Sequence, residues 1–195
     1  MCAVNRPDAE GLEAFLSALS ALKKGVVALD GMCASGKSTL AAYAAQTLGA
    51  SVFHMDDFFL QPHQRTPERL AEPGGNVARE RFLEEVLLPL SQGASFVSYR
   101  RFDCSVQTLL EPVSVNVAPL VVVEGAYSMH PALRQFYAFG AFLSVEPQLQ
   151  RARILQRNGE AGLRRFEERW IPLENRYFDA LHVQDACRFH LTARS

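Results

Sequence analysis

The feature that most constrains this chain is the eight-residue segment Gly31-Met-Cys-Ala-Ser-Gly-Lys-Ser38, which follows a short apolar run and precedes an Ala-rich stretch. Its spacing fits the pattern G-x-x-x-x-G-K-[ST]. The two glycines permit backbone conformations that aim successive N–H groups inward, and the start of the following helix adds partial positive charge. Because the pattern stands between a buried strand and a helix, it predicts a loop that binds the phosphates of a nucleotide.

Individual residues of this phosphate loop have distinct expected roles. Lys37 supplies a mobile positive charge for the β- and γ-phosphates, and the Ser38 hydroxyl is a candidate ligand for Mg²⁺. Thr39 continues the helix toward the α-phosphate. The candidate nucleotide-binding residues are therefore Gly31, Ala34, Ser35, Gly36, Lys37, Ser38 and Thr39.

Short apolar runs alternate with stretches of helical periodicity along the chain. The predicted strands are 26–29, 51–55, 119–124, 138–145 and 187–192, while 96–102 and 113–117 are expected to form a hairpin or edge strands. The predicted helices are 12–22 (within an N-terminal segment 1–24), 38–48, 79–90, 147–157 and 166–177, and 60–76 is predicted to be a loop. This alternation predicts one α/β domain over 1–195 with a mostly parallel, five-stranded sheet flanked by helices.

Acidic residues stand at the ends of two predicted strands. Asp56 and Asp57 follow the second strand, and Glu124 ends the apolar run that begins after Pro119. Ligands of parallel sheets bind at the carboxyl ends of the strands, so Asp56 and Glu124 are candidate site residues. Asp57 has an alternative interpretation as a helix N-cap.

The overall composition narrows the class of partner. With 20 Lys and Arg against 21 Asp and Glu, the net charge of −1 argues against a nucleic-acid partner. The longest apolar runs are too short to span a membrane, and the four scattered Cys are typical of reduced thiols in a cytoplasmic protein. These features favour a small-molecule partner, and they leave the oligomeric state open.

Three further segments accompany the phosphate loop: His54-Met-Asp-Asp-Phe-Phe59, the strand ending in Glu124-Gly125, and Trp170-Ile-Pro172 followed by Tyr177. With them, the chain resembles the uridine kinase and nicotinamide riboside kinase branch of the P-loop kinases, which includes phosphoribulokinase and bacterial pantothenate kinase. The resemblance runs from about residue 26 to residue 192. It implies a P-loop NTPase fold and transfer of the γ-phosphoryl group of ATP, with Mg²⁺, to a hydroxyl of a small metabolite.

The resemblance also implies roles for individual residues. Asp56, the first acid of its box, would be the general base, and it is a candidate metal ligand together with Glu124 and Ser38. Arg153 and Arg157 would belong to a lid over ATP, at about 151–169. Seven of the seventeen Arg lie between 151 and 176, and the alternative for them is a solvated helix face paired with nearby Glu residues.

The acceptor site is less constrained by the sequence. Its candidate residues are Asp57, Phe58, Tyr99, Arg101 and Asp103. The aromatic rings are expected to stack on a planar substrate or to belong to the core, and Asp103 to bond a ribose-like diol. The resemblance favours a nucleoside-like acceptor of the uridine, cytidine or nicotinamide riboside type.

Two alternatives to a nucleoside kinase stay open. Arg79, Arg100 and Arg101 fit an anionic acceptor, such as a sugar phosphate or pantothenate. The other alternative is a nucleotide-binding regulatory module with little or no kinase activity.

Overall fold

The computed structural model describes residues 9–194, and in it a parallel sheet lies between two groups of helices. The strands are β1 (Gly25–Gly31), β2 (Ser51–His54), β3 (Phe96–Asp103), β4 (Thr108–Asn116), β5 (Leu120–Glu124), β6 (Phe139–Val145) and β7 (Phe189–Ala193). The helices are α1 (Ala9–Ala21), α2 (Lys37–Leu48), α3 (Pro67–Ala71), α4 (Arg79–Phe82), α5 (Leu88–Ser91), α6 (Pro131–Arg134), α7 (Pro147–Arg165) and α8 (Ile171–Ala180).

Five strands form the main sheet, in the order β2-β5-β1-β6-β7, and every neighbouring pair is parallel. The predicted α/β fold with a five-stranded sheet is therefore confirmed. β3 and β4 form a separate antiparallel hairpin, which is the first of the two arrangements expected for them. No helix within residues 9–194 has both the length and the apolar character needed to cross a membrane.

Alternation along the buried strands divides the core into two layers. Val27 and Leu29 of β1 face one side of the sheet, where they pack with Phe15 of α1 and Ala41 of α2. Ala28 faces the other side, which is covered by the hairpin, the segments around 55–58 and 77–87, and α8. Strands of this kind are apolar at every position because both of their faces are buried.

The register of the sheet brings the chemically important strand ends together. Glu124, the last residue of β5, is paired with Leu29 of β1 on one side and with His54 of β2 on the other. The phosphate loop follows β1, and Asp56 lies two residues beyond β2. The sheet thus places the loop and both acids at one edge.

The structure departs from the predicted elements where local irregularities interrupt a pattern. The predicted loop 60–76 contains α3, which Thr66 caps by accepting a hydrogen bond from the Arg69 amide at 3.2 Å. The predicted helix 79–90 is split into α4 and α5 by a π-helical turn, Leu83–Leu87. The short helix α6 was not predicted.

At the two ends of the chain the helix predictions hold, with shifted bounds. The N-terminal helix is confirmed over 9–21, while residues 1–8, including Cys2, lie outside the described part. α7 runs past the predicted end near 157, but Gly159 breaks it with φ 67° and ψ −178°. A further π-helical turn, Phe166–Trp170, leads into α8.

Candidate active site

The phosphate loop connects β1 to α2 and depends on glycine at its first position. Gly31 has φ 129°, and a Cβ atom there would lie 2.1 Å from the carbonyl oxygen of Leu143. Gly36 has φ 102° and begins α2 at the N-cap. Ser35 is 5% exposed, and its buried hydroxyl has no hydrogen-bond partner within residues 9–194. An unpaired buried hydroxyl is costly, so this orphaned group fits a site built for a polar ligand.

The Lys37 side chain lies inside this loop. The side chain is 8% exposed, and its ammonium group donates hydrogen bonds of 2.8 Å to the carbonyl oxygens of Gly31 and Met32. The charge therefore lies over the loop, as expected for a group that neutralises phosphate.

Ser38, Glu124 and His54 form a connected polar group beside the loop. The Ser38 hydroxyl lies 3.2 Å from both carboxylate oxygens of Glu124. His54 Nδ1 lies 2.5 Å from Glu124 Oε1, and the His54 side chain is 47% exposed. The hydrogen bond to Glu124 raises the pKa of His54, while partial burial acts in the opposite direction.

Asp56 faces this group without being bound by it. Its carboxylate forms no hydrogen bond or ion pair with any residue of 9–194. The side chain is exposed to solvent, yet the surrounding residues partly desolvate it, which raises its pKa, and the Glu124 carboxylate raises the pKa further. Lys37 and His54 act in the opposite direction. A carboxylate with a raised pKa and no partner is suited to accept a proton.

Asp57 shares a short 3₁₀-helical turn, Met55–Phe58, with Asp56, but it is paired with a cation. Its Oδ2 lies 3.5 Å from Arg101 Nε, and its side chain is 20% exposed. Desolvation raises the pKa of Asp57, whereas Arg101 lowers it. The two adjacent acids thus differ in environment, and Asp57 is the one held by a cation.

The residues present fit a magnesium ion that is shared with phosphate. Within 9–194 no cluster of three His, Cys, Asp or Glu side chains is arranged to hold a metal on its own. Mg²⁺ is usually bound by one or two carboxylates together with substrate phosphates. Ser38 and Glu124 supply such oxygen ligands next to the phosphate loop, with Asp56 nearby.

The structure separates the two predicted lid arginines. Arg153 Nη1 donates a 2.8 Å hydrogen bond to the carbonyl oxygen of Ala34 in the phosphate loop. Arg157 instead bonds Asn158 at 2.8 Å and stacks on Phe166, with its guanidinium carbon 5.7 Å from the ring centroid. The structure therefore brings Arg153, but not Arg157, to the loop.

One further arginine of the same segment follows the alternative interpretation. Arg151 forms a 2.7 Å ion pair with Glu167 at the surface.

The aromatic acceptor candidates lie in the core. Phe58 is 0% exposed and Tyr99 is 3% exposed, and their rings stack with centroids 5.4 Å apart. Phe82 packs edge-on against Phe58. Of the two interpretations open for Phe58 and Tyr99, the structure shows the core one, because other core side chains pack against their rings.

Of the remaining acceptor candidates, Asp103 and Arg100 form structural contacts in the hairpin, whereas Arg101 is exposed. Asp103 accepts hydrogen bonds from the Ser105 amide at 2.7 Å and the Ser105 hydroxyl at 2.6 Å, so it stabilises the hairpin turn. Arg100 donates to the carbonyl oxygens of Leu110 and Leu109 on β4. Arg101 is 50% exposed beside Asp57 and keeps its place in the candidate acceptor site.

Asp30, directly before the loop, is a buried residue that the sequence analysis did not select. Its carboxylate accepts hydrogen bonds from Gly31 N at 2.6 Å, from Met129 N at 2.7 Å and from Tyr177 Oη at 2.7 Å. The available signal was an acid at the end of a wholly apolar run. Glu174, whose carboxylate contacts the loop, was missed as well and carried no comparable signal.

Comparisons with known proteins identify solved structures of similar architecture. No protein-family model matches the sequence, and no curated protein matches it. A possible uridine kinase from Bacillus stearothermophilus has a similar structure, with a TM-score of 0.70 and 19% identity over 93% of this chain and 97% of that one. A D-glycerate 3-kinase from Cryptococcus neoformans var. grubii is similar with a TM-score of 0.60 and 13% identity over 94% and 93% of the two chains.

At these identities the likeness concerns the fold. It extends over nearly the whole chain and agrees with the phosphate loop and the parallel sheet described above. The resemblance indicated by the sequence motifs is thereby confirmed for the architecture: the chain has the fold that the possible uridine kinase and the D-glycerate 3-kinase share.

Proposed function

We propose that this protein is a kinase that transfers the γ-phosphoryl group of ATP to a hydroxyl group of a small metabolite. The observation that carries the proposal is the position of Asp56. A carboxylate that has no hydrogen-bond or ion-pair partner among residues 9–194 lies near the Ser38–Glu124 pair, beside a phosphate loop that holds Lys37. Phosphoryl transfer needs this combination of charge neutralisation and a group that orients the attacking hydroxyl.

In this proposal each residue has one task. Asp56 accepts the proton of the acceptor hydroxyl. Lys37 and the loop amides bind the phosphates and stabilise the charge that develops on them. Ser38 and Glu124 would hold Mg²⁺, which when bound supplies charge neutralisation of the β- and γ-phosphates.

The contacts of the arginines support an acceptor without a strong negative charge. Arg79 is paired with Glu72 at 2.8 Å and with Glu80 at 3.2 Å, and Arg100 is held by backbone carbonyl oxygens of β4. Arg101 remains, and the Asp57 carboxylate beside it balances its charge. These contacts favour a neutral, hydroxyl-rich acceptor such as a nucleoside over a sugar phosphate or pantothenate.

We also propose that about 151–169 closes over the nucleotide as a lid and excludes water during transfer. Two contacts support this role. Arg153 already reaches the phosphate loop. Just beyond the segment, the ring of Trp170 lies 6.2 Å from the ring of Phe59, which is two residues after Asp57. In this proposal the protein acts in the cytoplasm on a small molecule and not on a nucleic acid.

The experiment that tests the proposal is ADP release from ATP and Mg²⁺ across a panel of acceptors. The panel contains nucleosides, nicotinamide riboside, pantothenate and sugar phosphates. We expect release that depends on a neutral acceptor. ATP binding without acceptor-dependent release across the panel would favour the nucleotide-binding module instead.

A further inference from the structure

A carboxylate from a helix distant in sequence accepts a hydrogen bond from the first half of the phosphate loop. Glu174 of α8 is 8% exposed, and its Oε2 accepts a 2.8 Å hydrogen bond from the backbone N–H of Cys33. The two residues are 141 positions apart in the chain. A buried carboxylate that accepts an amide hydrogen bond is a strong, directional contact.

Cys33 is held at its other polar atoms as well. Gln150 of α7 donates from Nε2 to the Cys33 carbonyl oxygen at 3.0 Å and lies 3.3 Å from its sulfur. Ile154 and Leu163 pack against the side chain. Burial raises the pKa of the Cys33 thiol to about 12, with Glu174 adding to the effect. The thiol is therefore a packing group, and the backbone orientation at this position is fixed from two helices.

This fixed orientation matters for the residues that come next. A phosphate nest works only if its successive N–H groups point to one centre, and a site of this kind binds well when its geometry is set before the ligand arrives. The Glu174 carboxylate turns the Cys33 amide toward α8, so the following residues, from Ala34 onward, enter the nest from a defined direction.

The charge of Glu174 makes a different contribution. Its surroundings include Lys37, which lowers the pKa of Glu174 against the larger effect of burial. A negative charge this close to a phosphate site opposes anion binding. A purely electrostatic role would therefore act against the nucleotide, whereas a role through the hydrogen bond acts for it.

We propose that Glu174 is a positioning residue, which sets the geometry of the phosphate loop for ATP through its hydrogen bond to the Cys33 amide. The inference rests on the proposed function, since it assumes that the loop binds ATP. Through Glu174, helix α8, which follows the proposed lid, contributes directly to the affinity for the nucleotide.

The test separates the hydrogen bond from the charge. In Glu174→Gln the side-chain oxygen keeps its reach to the Cys33 amide but the charge is lost. In Glu174→Asp the charge stays but the side chain is one carbon too short. ATP affinity of the purified full chain is measured by calorimetry, and the KM for ATP and kcat are measured with a working acceptor.

We expect Glu174→Asp to weaken ATP binding by about tenfold, the cost of one hydrogen bond to a charged group. We expect Glu174→Gln to stay close to wild type, and the loss in Glu174→Asp to appear in the KM for ATP more than in kcat. The matched control is Asp179→Ala, which removes an exposed carboxylate from α8 itself and should change neither value.

Three results would overturn the inference. Wild-type affinity in Glu174→Asp would show that the hydrogen bond is dispensable, and weaker binding in Glu174→Gln than in Glu174→Asp would show that the charge is what matters. Absence of ATP binding to the wild-type chain would overturn the proposed function itself, and this inference with it. Melting temperatures of all variants show whether a loss of binding follows from a loss of folding.

Discussion

The Ser38 hydroxyl lies 3.2 Å from each carboxylate oxygen of Glu124, although the two residues are 86 positions apart. The parallel pairing of β1 with β5 produces this contact, because it brings the residue at the end of β5 next to the loop that follows β1. One side chain comes from the phosphate loop and the other from the end of the neighbouring strand β5, so the pair links the phosphate loop to an acidic strand end.

This pair predicts a specific metal dependence. Glu124→Gln removes one negative oxygen ligand but retains a side chain of the same size. We expect the Mg²⁺ concentration for half-maximal activity to rise by about tenfold or more. Titration of activity with Mg²⁺ at fixed ATP measures the change, and Mn²⁺ binding in the presence of ADP gives a second readout. An unchanged Mg²⁺ requirement would contradict the role of Glu124.

Because Asp56 and Asp57 have different environments, we expect substitutions at the two positions to change different kinetic constants. Asp56→Asn retains the shape of the side chain but cannot accept a proton, so we expect kcat to fall by about 10²- to 10⁴-fold with little change in ATP affinity. Asp57→Asn is the matched control. It should act mainly on the KM for the acceptor, because Asp57 is paired with Arg101. Equal kcat values for the two variants would contradict the assignment of the base.

Substitution of Lys37 is expected to lower the efficiency with which the enzyme uses ATP. Lys37→Ala removes the charge that lies over the loop carbonyl oxygens of Gly31 and Met32. We expect kcat/KM for ATP to fall by about 10²-fold or more, since the removed group stabilises developing charge. Steady-state kinetics with varied ATP measures it, and a wild-type kcat/KM would refute the role of the loop.

Because Arg79 and Arg100 are paired within the protein, their contacts predict whether the protein prefers a neutral or an anionic acceptor. A neutral acceptor and its phosphorylated form differ by about two negative charges at neutral pH. We expect a higher kcat/KM for the neutral form, because Asp56 and Glu124 face the site while Arg79 and Arg100 are bound elsewhere. Direct competition between the two forms compares them. Preference for the phosphorylated form would support an anionic acceptor instead.

His130 lies away from the candidate active site, and its titration is expected to make the stability of the fold depend on pH. Burial, together with Arg79, lowers the pKa of His130 to about 4, and its Nδ1 accepts a 3.2 Å hydrogen bond from Ala132 N. The neutral ring belongs to the folded state, whereas the unfolded chain binds a proton near pH 6.5. The contribution of His130 to stability is therefore present above pH 6.5 and is lost as the pH falls toward 4.

The variant His130→Asn keeps a side-chain oxygen able to cap α6 but does not titrate. Its free energy of unfolding should fall less steeply than that of wild type between pH 6.5 and 4. Urea denaturation at several pH values gives both slopes. Parallel slopes would show that His130 does not titrate on unfolding.

The sheet and the phosphate loop were predictable because their signals are local. The apolar run of β5, for example, reflects burial on both faces, and the glycine at position 31 reflects a close approach to Leu143. The hairpin of β3 and β4 was predictable from alternation, although β4 begins at Thr108, well before the predicted strand.

Contacts between distant segments account for what the sequence did not reveal. Phe58 follows the two acids directly, and only the packing of Tyr99 and Phe82 around it decides that its ring is buried. The partners of Arg100 are backbone atoms of β4, which no pattern of side chains records.

Position 174 shows the same limit for a charged residue. Glu174 looks like an ordinary helical acid in the sequence, and only the packing of α8 places it against the loop.

In the proposed mechanism Asp56 activates an acceptor hydroxyl for attack on ATP. The most direct measurement follows the label from [γ-³²P]ATP into an acceptor identified by the panel, with wild type and Asp56→Asn at saturating ATP and Mg²⁺. We expect stoichiometric transfer by wild type and a rate lower by about 10²-fold or more in the variant, with ATP affinity retained. Transfer by Asp56→Asn at the wild-type rate would contradict it.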